Sequence, residues 1–143
     1  MLKILDSQTM KRCDSHTIEN IGIPSRELME RAARRSLDVF LDGGFDLTHV
    51  TVVCGAGNNG GDGMAMAFML HERGIGVDVV FAGDPESCTE ETKFRLDALR
   101  TAGVRIMKNA DFYYSTAIID ALFGIGVTRR IEGDFASLIE NMN

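Results

Sequence analysis

Two short runs of this chain concentrate residue types that could do chemistry. The first is Gly55-Ala56-Gly57-Asn58-Asn59-Gly60-Gly61-Asp62-Gly63, which holds five of the chain's 15 glycines. Missing side chains let a ligand reach backbone N–H groups. Those groups, with the N-terminus of a following helix, make an anion site. A sharp turn there would use the positive φ values that glycine permits. Asn58 and Asn59 add donors and acceptors, and their carbonyl oxygens could hold a hard cation. Asp62 is placed to cap the helix. The plain alternative is a tight turn, but a turn alone needs one or two glycines, not five.

The second run is Asp120-Ala121-Leu122-Phe123-Gly124-Ile125-Gly126-Val127-Thr128-Arg129-Arg130. Asp120 sits in an apolar stretch, where a charge is costly unless paired, coordinated or protonated. A carboxylate at the end of a central strand, aimed into a crevice, is a candidate for proton transfer or cation binding. The competing explanation is a capping or salt-bridging Asp. Gly124 and Gly126 let backbone approach a ligand. Arg129 and Arg130 offer planar forks suited to phosphate, or form a solvated surface pair.

The elements that must position these runs are legible from periodicity. Asp6 is placed to cap a first helix ending near Gly22, and Pro24-Ser25 opens a second to about Leu41. His49 to Gly55 reads as a buried strand. Gly63 to Arg73 reads as a helix with Gly74 just past its end. Val77 to Ala82 is a second strand. Ser87 and Glu90 have capping-box spacing for a helix running to Gly103. Val104 to Met107 and Thr116 to Phe123 are further strands. Phe135, Leu138, Ile139 and Met142 mark one face of a last helix.

This alternation predicts an α/β fold. The expected form is a three-layer αβα Rossmann-like sandwich with a mostly parallel sheet in the order 3-2-1-4. In that order the two runs leave neighbouring strands at the topological switch point, where open α/β sheets bind ligands.

Gly55-x-Gly57-x-x-Gly60 also satisfies the dinucleotide fingerprint. The ribose-binding acid belongs about 20 residues on, at the end of the second strand. Asp84 follows that strand but lies 24 residues past Gly60, and Asp78 lies near its start. No GxxxxGK[ST] pattern occurs, which excludes a P-loop kinase.

Composition removes other classes. The net charge of −6 and the lack of a basic patch argue against nucleic-acid binding. No apolar run is long enough to span a membrane. Three cysteines, Cys13, Cys54 and Cys88, form neither a disulfide framework nor a zinc pattern, so a reducing, cytoplasmic compartment is expected.

GAGNNGGDG directly after a strand, followed by DALFGIGVTRRIEG, resembles the YjeF N-terminal domain family, the NAD(P)H-hydrate epimerases. Gly22-Ile23-Pro24-Ser25-Arg26-Glu27-Leu28-Met29-Glu30 is similar to that family's opening helices. The resemblance implies an isomerase of nucleotide repair, interconverting the R and S forms of hydrated NADH and NADPH at C6 of the nicotinamide ring. It implies that Asn58, Asn59, Gly60, Gly61 and Asp62 line the hydrate's site. Gly124, Ile125, Gly126, Val127, Thr128, Arg129 and Arg130 would wrap its phosphates. Asn59 and Asp120 would hold a potassium ion, and Asp120 would transfer the proton. Family members continue into another strand and a VDxPSG-like loop, so residues 1–143 are expected to be such a domain without its last strands. A homodimer and a fused or separate kinase-like dehydratase are the partners implied. Two rival functions remain: a non-catalytic nucleotide-binding or dimerising scaffold, and an NAD(P)-dependent oxidoreductase.

Overall fold

The computed structural model describes residues 4–109, 111–128 and 130–143. Among these residues, four strands and five α-helices follow in the order α1 (Ser7–Glu19), α2 (Ser25–Asp42), β1 (His49–Cys54), α3 (Asn58–Glu72), β2 (Gly76–Phe81), α4 (Glu90–Thr101), β3 (Arg105–Met107), β4 (Ala117–Ala121) and α5 (Asp134–Met142). The sheet is parallel throughout, in the order β3-β2-β1-β4. The predicted order is therefore the observed one.

β1 is central because it is apolar on both faces: Val50 to Cys54 are all buried. Strands covered on both sides read as continuous hydrophobic runs. Val50, Val52 and Cys54 face a core built with Ala33 and Leu37 of α2, Met64 and Leu70 of α3, and Leu96 and Leu99 of α4. Each of these Val, Leu and Met side chains, fully buried, is worth about 1.5–3 kcal/mol against exposure. Val53 and Val80 face the other way, into a smaller cluster with Leu138 of α5 and with Leu122, which follows β4.

The second face is thinly covered. The link from β3 to β4 contains a single 3-10 turn, Phe112–Tyr114, among the described residues. Polar residues occupy the strand positions that α5 does not cover. Thr51 and Ser115 share a hydroxyl hydrogen bond of 2.7 Å. Asp78 meets His49 and Arg105, each at 3.0 Å. Buried polar groups of this kind persist because they are paired.

Helix ends follow their sequence signals with two exceptions. Asp6 caps α1 by accepting the Thr9 N–H at 2.7 Å. Gly74, just past α3, has φ +74°, as a left-handed C-terminal residue should. The cap of α4, however, is Thr89 rather than Ser87, because Pro85–Ser87 forms its own 3-10 turn. More importantly, α3 begins at Asn58, not Gly63. Most of the glycine run is thus the first turn of a helix.

Candidate functional site

The glycines of the first run do not supply positive φ. The positive-φ glycines are Gly22, Gly44, Gly74, Gly103 and Gly133, all outside it. The expectation of a left-handed turn is corrected: these glycines are there for close approach. A Cβ on Gly55 would strike the Leu122 carbonyl, and one on Gly60 would strike the Gly55 carbonyl. A Cβ on Gly63 would strike the Ala121 methyl and stand 3.1 Å from Cys54 Sγ. Helix α3 therefore rises directly off β1 while lying against the end of β4. Gly61 meets Thr92 and Met29 in the same manner, against α4 and α2.

Hydrogen bonds lock the arrangement. Gly55 N–H donates to the Ala121 carbonyl at 3.2 Å and Ala82 N–H to the Cys54 carbonyl at 2.9 Å. The exits of β4 and β2 are thereby stitched to either side of β1. Thr92, fully buried on α4, donates its hydroxyl to the Gly57 carbonyl at 3.1 Å. Asn59 Nδ2 donates to the Phe123 carbonyl at 3.0 Å, joining the first run to the second.

A cavity of about 1190 Å³ opens at these carboxyl ends. Of the predicted site residues, the structure brings Asn58, Asn59, Gly124, Gly126, Val127, Thr128 and Arg130 to its wall. The N-terminus of α3 opens there as well. Its first ladder bond is Gly61 N–H to the Gly57 carbonyl, so the three preceding amides are unspent. Arg130 brings positive charge, with Nε 3.7 Å from Glu132.

Other predicted residues lie elsewhere. Gly60 and Gly61 are buried packing positions behind the wall. Ile125 is exposed but not part of the lining. Arg129 lies outside the described residues. Asp62 is not a cap, because α3 is already under way when it arrives. It stands one turn beyond Asn58, away from the lining, with Oδ1 buried and unpartnered. Burial pushes its carboxyl up to about 6, which Arg95 partly opposes and Asp14 reinforces.

Asp120 also departs from expectation. It pairs in register with Val53, whose side chain belongs to the α5 face, and it is exposed rather than aimed into the cavity. Among the described residues β4 pairs only with β1, and the exposed carboxylate of Asp120 costs little. Asp120 Oδ1 accepts the Leu122 N–H at 2.9 Å, and Leu122 itself lines the cavity. The second carboxylate oxygen and Asn59 Oδ1 are hard oxygen donors. Their chemistry suits a hard cation, although the described residues contain no cluster of three His, Cys, Asp or Glu ligands.

Cavity residues that sequence reasoning missed come mainly from the exit of β2: Ala82, Gly83, Ser87 and Thr89; Asp84, weighed there only as a fingerprint acid at imperfect spacing, joins them. Strand order was the available signal, since β2 flanks β1 as closely as β4 does. Cys54, near the site, is fully buried, and burial pushes its thiol up, which fits a packing role.

The class defined by this fold and crevice is a doubly wound α/β domain with a large cavity at its switch point. The chain belongs to the family described as YjeF-related protein N-terminus, whose model matches residues 25–143. It is 38% identical over its whole length to a Weissella koreensis protein named NAD(P)H-hydrate epimerase, and covers 65% of that protein. A Levilactobacillus brevis protein of the same name is 40% identical, again over the whole chain, with 67% of it covered. The crystal structure of the yeast protein ynu0, YNL200c, superposes with a TM-score of 0.84 at 26% identity, covering 99% of this chain and 65% of that one. The chain thus spans about two thirds of the length of the relatives it matches. No described helix is long and apolar enough to cross a membrane.

Proposed function

We propose that this chain acts in interconverting the R and S hydrates of NADH and NADPH at C6 of the nicotinamide ring. The observation that carries the reading is the joining of its two signature runs, through Asn59 and Phe123, around one large cavity at the sheet's switch point. The relatives' shared name supplies the reaction.

The chemistry asks for little. The C6–O bond breaks with help from the ring nitrogen's lone pair, and water returns to the opposite face. No electrons are gained or lost overall. The free amides at the start of α3 would bind a pyrophosphate, helped by Arg130 and the Gly124–Thr128 backbone. Gly60 and Gly61 serve by holding that helix end in place, and Ile125 and Arg129 belong to the same phosphate-wrapping run. In its acid form, Asp120 would protonate the departing hydroxyl; its carboxylate would then take a proton from the returning water. Because Asp120 is exposed beside Leu122, the nicotinamide would lie at the cavity rim on the β4 side. Asn59 and Asp120 are the residues that would hold a potassium ion, which when bound would balance charge near the reacting oxygen.

Residues 1–143 are read as one YjeF N-terminal-like domain, acting in the cytoplasm on a small nucleotide substrate. Its proposed partners are a second copy of the chain and a kinase-like dehydratase that consumes the S hydrate.

The test is chromatographic. The purified chain is given the R hydrate, and appearance of the S form is followed. Asp120→Asn keeps an oxygen for the Leu122 N–H, so its fold should be unchanged. The expected loss in rate is about 10²-fold or more. An Asn variant with the wild-type rate would refute the role of Asp120.

A further inference from the structure

We propose that Asp84 reads the ribose 2′-hydroxyl and makes this cavity select NADH-type over NADPH-type nucleotides. The inference deepens the function proposed above and rests on it for the substrate class.

Asp84 reaches the cavity through the exit of β2. The Ala82–Cys54 hydrogen bond holds that exit against the end of β1. Gly83 then passes so close to the first run that an added Cβ would stand 3.1 Å from the Ala56 methyl and 3.3 Å from its backbone nitrogen. A side chain at position 83 would make the exit or Ala56 give by a few tenths of an ångström. The following residue, Asp84, is delivered to the cavity wall beside Gly55, Ala56 and Gly57.

Its carboxylate is already oriented. Oδ1 accepts the Glu86 N–H at 3.0 Å, at the start of the 3-10 turn. The Asp84 carbonyl accepts the Ser87 hydroxyl at 2.7 Å, which steadies the backbone. Oδ2 remains to accept a further hydrogen bond. Among the described residues no cation pairs with Asp84. An uncompensated carboxylate beside a fingerprint glycine loop accepts from a ribose hydroxyl and repels a 2′-phosphate.

The spacing that makes the fingerprint look imperfect has a structural reason. The acid sits three residues beyond the last residue of β2, past the Gly83 approach, rather than on the strand itself. Its greater distance in sequence is taken up by this extension, and it still lies at the cavity.

Arg130 does not cancel the effect. It follows β4, whereas Asp84 follows β2, and β1 lies between those strands. The cavity therefore has the Asp84 carboxylate on its β2 side and the Arg130–Glu132 pair on its β4 side. A dinucleotide gains a direction from this: adenosine ribose toward Asp84, pyrophosphate on the start of α3, nicotinamide toward β4 and Asp120.

The experiment measures binding of NADH and NADPH to the full chain by fluorescence, alongside epimerase rates on both hydrates. The wild type should bind NADH at least tenfold more tightly. Asp84→Asn keeps the acceptor for the Glu86 N–H and removes the charge. It should cut the preference at least fivefold, mainly by gaining NADPH affinity, with an unchanged urea midpoint. Asp84→Ser should act in the same direction. Equal binding of both nucleotides by the wild type, or an unchanged ratio in both variants, would overturn the assignment while leaving epimerisation standing. Selective NADH binding lost in Asp84→Asn, but with no turnover of either hydrate, would support Asp84 and refute the epimerase reading. Binding of neither nucleotide together with turnover of neither hydrate would overturn both.

Discussion

Asp62 should make this protein less stable as pH rises from about 4 to about 7. Its Oδ1 is buried without a partner on α3, and Arg95 Nε is likewise buried and unpartnered. Arg95 instead spends an N–H on Glu30 at 3.1 Å, which holds the Glu30 carboxyl below its usual range. Asp62 is left with burial as the dominant influence, and its carboxyl rises from 3.8 to about 6. The folded state thus holds this proton more tightly than the unfolded chain. The favourable contribution is complete below about 3.8 and is lost as pH climbs through about 6. At about 1.4 kcal/mol per pH unit, two units would give about 3 kcal/mol. Asp62 is partly open to solvent, so screening reduces this to about 1–2 kcal/mol. Urea denaturation of the wild type and Asp62→Asn, run from pH 4 to pH 7.5, reads the effect directly. The two should be near parity at pH 4, and the Asn variant should be more stable by about 1–2 kcal/mol at pH 7.5. Parallel profiles would refute the reasoning. So would a variant that loses ground as pH rises, since that would make Asp62 an ion-paired carboxylate.

Close approach, rather than turn geometry, should govern the first glycine run. Gly60→Ala places a methyl against the Gly55 carbonyl. Backbone cannot swing aside, so the clash should outweigh the roughly 1 kcal/mol of helix propensity gained and cost a net 1–3 kcal/mol. Gly57→Ala meets nothing within 4 Å and should stay within about 0.5 kcal/mol of wild type in the same thermal melts. Equal effects at the two positions would contradict the packing explanation. Asn59→Ala removes the bond to the Phe123 carbonyl; it should cost about 1 kcal/mol and raise amide exchange in residues 123–128. Unchanged exchange there would show that the two runs are not coupled through Asn59.

Much of the architecture was legible along the chain because its signals are local. The β-branched run at His49–Cys54, the periodic apolar face of α2 and the left-handed Gly74 each depend on residues a few positions apart. Strand order followed from the right-handed crossover rule applied to that alternation. The start of α3 was not legible. Glycine is a poor helix former, and three glycines among its first six residues argue against a helix. Packing against β4, α2 and α4 overrides that propensity, and those contacts come from residues roughly 30 to 60 positions away.

The same division runs through the site. Which residue types are present, and that two runs should meet at a switch point, follows from the order of residues along the chain. Which side chains face the cavity depends on phase and cover. Asp62 turns away because the helix starts four residues before it. Asp120 is exposed because its strand phase sets it on the Val53 face, away from the large core. Asp84 reaches the wall because Gly83 lets the exit of β2 close against Ala56. Periodicity is a property of neighbours in sequence. Burial and direction are set by what packs alongside, and they emerge when the sheet and its layers assemble.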